Sequence, residues 1–224
     1  MTNTLHRYGN AASFEDDYII FAIPSRGKND ENCIPKLQEF LRICAKHHPV
    51  NIGNGNRSSL APGKDLNPTV HWNRIANHDW ESVIGGVTKA GTVSAVFTSK
   101  EDAQACFREV MAADFGLSVN ISTAIENAIE VAEECGIKRH SVEYSLGFYD
   151  PHDHLPEAPV LALSTMCGHG MVSFNLARKM LDMVKEGRRT PKEAAATMVR
   201  FCPCGIYNEE RAIRIIKECC HKST

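Results

Sequence analysis

Tyr18-Ile19-Ile20-Phe21-Ala22-Ile23 is the longest unbroken apolar run in the chain, and it is the size of a strand. A short apolar run with no polar alternation, stopped by turn residues, reads as a buried strand. Pro24-Ser25-Arg26-Gly27 supplies that stop. Downstream, Leu37, Phe40, Leu41 and Cys44 share one face of a helix predicted over 35–46. His48 precedes Pro49, which pushes it out of helical geometry and closes the helix. Thr92 to Thr98 is the next strand. Ser99 with Asp102 caps a helix to about Ala113, whose stripe is Ala103, Cys106, Phe107, Val110 and Met111. Leu117 to Ile121 is a short strand, and a further helix reaches Cys135 and stops at Gly136. Val142, Tyr144, Leu146 and Phe148 alternate as in a half-buried strand, and Val160 to Thr165 is an apolar strand. Helices follow from Ser173 to Lys185, from the Thr190-Pro191-Lys192-Glu193 capping box, and from Asn208 to Cys220.

Strands alternating with helices predict an α/β or α+β fold, a mixed sheet flanked by helices with a helical C-terminal segment. No repeat or linker divides the 224 residues, so a single domain over 1–224 is expected. Residues 49–68 are rich in Asn, Gly, Ser and Pro without periodicity, which predicts a long loop or lid.

Apolar residues make up 43% and charged residues 23%, which excludes a disordered or collagen-like chain. A net charge of −2 offers no basic surplus for nucleic acid or an anionic membrane. No apolar stretch is long enough to span a bilayer, and the polar Met1–Asn10 does not resemble a signal peptide. A cytoplasmic location is therefore expected, with a small-molecule substrate as partner. A homo-oligomer is compatible with this composition.

Nine cysteines in a reducing compartment are not a disulfide framework, and an odd number cannot pair fully. Cys44, Cys106 and Cys135 fall on apolar helix faces and read as core filler. The chemistry is concentrated in Cys167-Gly168-His169-Gly170 and Cys202-Pro203-Cys204-Gly205, each placed just before a helix. Glycine and proline turns are poor places to hide filler. Helix N-termini favour thiolate, and three neighbouring thiolates repel unless protonated or shared by a cation. Cys167, Cys202 and Cys204, within the 160–220 segment, are thus candidate metal ligands.

Cys-Pro-Cys is tighter than the usual zinc spacing. Three cysteines without a fourth match a [4Fe–4S] cluster with one open iron, a Lewis acid for elimination, hydration or heteroatom removal on a small polar substrate. His169 would move the proton, and Ser164, Thr165 and Ser173 would supply hydrogen bonds. Arg57 and Ser58 in the long loop, and Arg26 after the first strand, are candidate substrate contacts. The alternative is a closed Cys₃His zinc site in a binding or regulatory module, with His169 as fourth ligand.

Cys167-Gly168-His169-Gly170 also resembles the first catalytic-cysteine segment of proline racemase-like epimerases. The resemblance implies a metal-free thiol pair acting as acid and base on opposite faces of a substrate carbon. Cys204-Gly205-Ile206 departs from that family's second segment, Cys-Gly-Thr. Gly53-Asn54-Gly55 is followed by Ser58 where a dinucleotide fingerprint needs glycine. His152-Asp153-His154 reads as a solvated loop. His71, Trp72, His78 and Trp80 could line a wall or simply fill a core.

Overall fold

A computed structural model describes residues 7–55, 79–139, 141–142, 145, 147–150, 152–202 and 204–221. Four strands, β1 (Tyr18–Ile23), β2 (Asn51–Asn54), β3 (Val93–Phe97) and β4 (Ser118–Ser122), form one sheet in the order β2-β3-β1-β4. Every neighbouring pair is antiparallel. Helix α1 (Cys33–Lys46) links β1 to β2, the short α2 (Trp80–Gly85) precedes β3, and α3 (Lys100–Ala112) links β3 to β4. Connecting β1 to β2 and β3 to β4 through helices while β3 lies between β1 and β2 gives a split βαβ topology. After α4 (Ile125–Glu134), four further helices are seen among the described residues: α5 (Ala158–Thr165), α6 (Phe174–Lys185), α7 (Pro191–Val199) and α8 (Glu209–His221).

The sheet is covered on both faces, and this explains the unbroken apolar run of β1. Tyr18, Ile20 and Ala22 pack with Leu37, Phe40 and Phe107 from α1 and α3. Ile19 and Phe21 point the other way, into the core built by α5 to α8. A strand buried on both faces has no reason to alternate. β4, at the sheet edge, does alternate: Val119 and Ile121 join the first core, and Ser118, Asn120 and Ser122 take the other side. The outcome is a mixed α/β fold with helices flanking the sheet. Among the described residues, no helix is long and apolar enough to cross a membrane.

Local signals in the sequence correspond to real caps. Ser99 Oγ accepts the Asp102 N–H at 3.1 Å, and the Thr190–Glu193 box is reciprocal. Gly136 takes the left-handed conformation just past α4, at φ +66°.

Three expectations are corrected. Val160 to Thr165 belongs to helix α5, not to a strand. Val160 to Ser164 are all buried, and an apolar run enclosed on every side shows no period to distinguish helix from strand. Pro159, in the first turn, was the available helix signal. Second, Val142 and Phe148 are exposed and lie in no strand, because alternation without a partner strand or a core to face does not make a sheet. Tyr144 and Leu146 lie outside the described residues. Third, the expected 49–68 loop opens with β2, paired to β3 from Asn51↔Val96 to Asn54↔Val93. Pairing supplied by the neighbouring strand overrides the weak strand propensity of Asn-Ile-Gly-Asn. The remainder of that loop, from residue 56, lies outside the described residues, as do Arg57, Ser58, His71, Trp72 and His78. Trp80 begins α2 and packs against the first core.

Candidate functional site

Two turns carry the predicted cysteines, and both belong to the C-terminal helical layer. The first joins α5 to α6. The Cys167 N–H bonds to the Ser164 carbonyl at 3.3 Å, and the Gly170 N–H to the Cys167 carbonyl at 3.0 Å. Ser164 Oγ donates across the turn to the Val172 carbonyl. Ser173 caps α6 by accepting the Leu176 N–H at 3.1 Å.

The second turn joins α7 to α8 and is fixed to the sheet. Ser94 Oγ of β3 donates to the Cys204 carbonyl at 2.9 Å, and Asn51 Nδ2 of β2 to the Tyr207 carbonyl at 3.2 Å. Gly53 and Gly205 lie backbone against backbone. A Cβ on Gly53 would overlap the Cys204 carbonyl, and one on Gly205 would overlap Ile52. Gly205 also sits at φ +69°, where a side chain is strained. Close approach to the cysteine turn is therefore the role of Gly53. Tyr207, fully buried, donates its hydroxyl to the Leu163 carbonyl at 3.0 Å and so ties this turn to α5.

These supports bring the four predicted side chains together. Cys167 and Cys202 are close enough to shift each other's pKa. Cys202 Sγ lies 3.8 Å from Cys204 Sγ, and Cys204 Sγ lies 3.5 Å from His169 Nδ1. The three thiols are buried and His169 is exposed. The protons follow the contacts. The hydrogen bond from Cys202 lowers the pKa of Cys204 and outweighs its burial. Cys202 is eased down by the bond from Cys167, but the bond it gives Cys204, with burial, pushes it up to about 12. Cys167 is raised by its hydrogen bond to Cys202 and by burial. Of the three thiols, Cys204 is therefore the one whose ionised form its neighbours favour.

A cleft of ≈ 370 Å³ opens beside this cluster, lined by Ser164, Thr165, Cys167, Gly168, Gly170, Val172, Ser173 and Phe174. Cys167 belongs to both cluster and cleft. The three predicted hydroxyls all border the cleft, and each also has a local duty. Thr165 Oγ1 donates to the Leu161 carbonyl at 2.7 Å and accepts the Tyr8 N–H at 2.9 Å. Ser164 and Ser173 hold the turn as described, and hydroxyl capacity remains on both.

Other candidates stand elsewhere. Arg26 is exposed in the turn after β1, which Asn29 anchors to the Gly116 carbonyl at 2.7 Å. His152 and His154 are exposed, their rings edge-on at 5.6 Å, while the Asp150 carboxylate receives the His154 and Leu155 N–H groups. Cys44 and Cys106 touch at 3.6 Å in the core between α1 and α3, as filler should.

An ion cluster beneath the second turn escaped sequence reading. Asp17 receives Arg7, Arg211 Nη1 at 3.4 Å and Asn208 Nδ2 at 3.0 Å, and Arg7 also donates to the Ile206 carbonyl. The visible signal was Arg211 itself, a charge beside Ala212 and one turn from Ile215 and Ile216 on the face that α8 buries.

The site and fold together define a three-layer α/β protein with a thiol-rich centre at the junction of two helix-connecting turns. No protein-family model, no curated protein and no solved structure matches this chain. Its function must be read from the site itself.

The pair distances allow a test of what the cluster could hold. One tetrahedral ion with bonds of about 2.3 Å to sulfur and about 2.0–2.1 Å to nitrogen separates its sulfurs by about 3.8 Å, and sulfur from nitrogen by about 3.5 Å. The Cys202–Cys204 and Cys204–His169 separations have these values. A cubane spreads its thiolates further apart. Among the described residues, no three or more His, Cys, Asp or Glu side chains stand ready around a common point. Holding an ion therefore requires side-chain rotation from the hydrogen-bonded arrangement. A racemase-type pair needs a substrate carbon between its sulfurs. In this chain the pair would be Cys167 with either Cys202 or Cys204.

Proposed function

We propose that this chain is a metal-dependent enzyme acting on a small polar substrate by elimination, hydration or heteroatom removal. Cys167, Cys202 and Cys204 hold the metal, and the cleft between α5 and α6 receives the substrate. The observation that carries this reading is that residues 35 apart in the chain converge in one cluster whose first member, Cys167, also lines a cleft. The metal, a [4Fe–4S] cluster with an open iron, would supply Lewis acidity toward a hydroxyl or carboxylate. Within the protein, His169 moves the proton from its exposed place beside Cys204, and Ser164, Thr165 and Ser173 orient the substrate. A reducing cytoplasm suits a chain with nine cysteines.

A second reading rests on the 3.8 Å and 3.5 Å separations, which favour a single zinc ion closed by His169 in a binding or regulatory module. Anaerobic purification with iron, sulfide and zinc analysis separates the two. The proposal expects brown protein with about four irons and four sulfides per chain, whose spectrum shifts when a small 2-hydroxy acid is added. Colourless protein with about one zinc, indifferent to that acid, establishes the closed site instead. Protein that takes up no metal at all overturns both readings.

A further inference from the structure

Cys202 and Cys204 stand two residues apart in the chain, and their sulfurs lie 3.8 Å apart. A disulfide holds its sulfurs about 2.0 Å apart, so side-chain rotation that brings the pair about 2 Å closer makes the bond. The turn that carries them is a fixed support: Ser94 holds the Cys204 carbonyl, and Gly205 lies against the backbone of β2. Cys204 Sγ also touches His169 Nδ1 at 3.5 Å. Cys204 itself is 2% exposed, but His169 is exposed and lies between Gly168 and Gly170. Gly170 takes φ +69°, and a Cβ there would meet nothing within 4 Å, so the outer side of this turn is open. A surface side chain on a permissive turn therefore screens Cys204, and its rotation admits a molecule little larger than water. Cys44 and Cys106 come equally close, at 3.6 Å, yet both are 0% exposed in the core between α1 and α3. Closeness there is packing; the same closeness under an exposed imidazole is reactive.

We propose that Cys202 and Cys204 are a reversible dithiol pair oxidised by hydrogen peroxide, with Cys204 the sulfur that meets the oxidant and Cys202 the one that resolves it. Peroxide is the oxidant because a screened thiol admits only small molecules. The Cys204 sulfur attacks one peroxide oxygen and the O–O bond breaks. A sulfenic acid forms, and the other oxygen leaves with the thiol proton as water. The Cys202 sulfur then attacks the Cys204 sulfur. The S–S bond forms as the S–O bond breaks, and the hydroxyl leaves with the Cys202 proton as a second water. The two thiols together lose two electrons, and the peroxide gains them. Two molecules of a small thiol reverse the change by exchange and end as their own disulfide. No metal takes part in these steps, so the inference does not rest on the metal reading above.

The test is a peroxide time course on the full chain, with a chelator present so that bound metal does not shield the thiols. Remaining thiols are alkylated in denaturant, and the tryptic peptides are weighed. Cleavage after Arg200 and Arg211 leaves both cysteines on one peptide, Phe201–Arg211. That peptide should lose both alkylation sites, weigh two hydrogens less than the dithiol, and recover both sites after dithiothreitol. Over the same period the peptides carrying Cys44 and Cys106 should keep their sites. Cys202→Ser should stop at the sulfenic acid, so that dimedone adds to Cys204, an adduct missing from the parent chain. A Phe201–Arg211 peptide that stays reduced, one joined to Cys167 instead, or oxidation of Cys44 and Cys106 at the same rate overturns the inference. An adduct on Cys202 in Cys204→Ser, with none on Cys204 in Cys202→Ser, overturns the assignment of roles. Should either variant fail to fold, the time course on the parent chain decides alone. The metal content of the untreated protein is a separate measurement, and a chain without metal leaves this test intact.

Discussion

At the scale of single residues, the cysteines divide by what supports them. Cys167, Cys202 and Cys204 are held in turns by hydrogen bonds and glycine contacts, whereas Cys106 is one apolar neighbour among many. Cys167→Ser, Cys202→Ser and Cys204→Ser should each lose the metal, whereas Cys106→Ala should keep it and lose about 1 kcal/mol of stability, read by metal analysis and denaturant titration. His169→Ala should keep the metal and lose roughly 10²–10⁴ in rate, and loss of metal from that folded variant would identify His169 as a ligand. Gly53→Ala forces a methyl group into the Cys204 carbonyl. It should cost about 1–3 kcal/mol and lower metal occupancy, although Gly53 is nowhere near a ligand in sequence. The cysteine cluster was legible because cysteine between glycines and proline is chemically conspicuous. Gly53 was not, because the backbone it must avoid is supplied by a turn some 150 residues later.

At the scale of elements, legibility followed the distance over which each signal acts. Caps are local, so Ser99, Gly136 and Thr190 disclosed the ends of α3, α4 and α7 from sequence alone. β2 is stabilised by its pairing with β3 and was hidden in a polar stretch. Helix α5 was mistaken for a strand because its surroundings, not its period, make it helical. The α7 cap offers a clean measurement of a local term. Thr190 Oγ1 accepts the Glu193 N–H at 3.2 Å, and the Glu193 carboxylate accepts the Thr190 N–H at 2.8 Å. Thr190→Ala should cost about 1 kcal/mol in chemical denaturation. Since α7 leads directly into Cys202, the same variant should release metal faster to a chelator.

At the scale of the whole molecule, the N-terminal segment is bound to the last helix by charge. Burial alone would raise the pKa of Asp17, but Arg7 and Arg211, with hydrogen bonds from Arg7 and Asn208, outweigh it and hold the carboxyl below its ordinary range. A depressed carboxyl pKa contributes stability that is complete above the unfolded value of about 3.9 and lost as pH falls through the folded value. Melting temperature should therefore be insensitive to this group near neutrality and fall below about pH 4. In Asp17→Asn, that component of the acid limb should be missing. The contacts concerned join residues 194 and 199 apart in the chain. During synthesis, Arg7 and Asp17 emerge long before Ile206, Asn208 and Arg211, to which they bond. Gly53 and Ser94 likewise wait, already translated, for the turn that will rest on them. Cys167 thus emerges before the thiols that complete its cluster, and a nascent chain stalled before α7 would present one cysteine of the set. The cluster is complete only once the turn between α7 and α8 has been made.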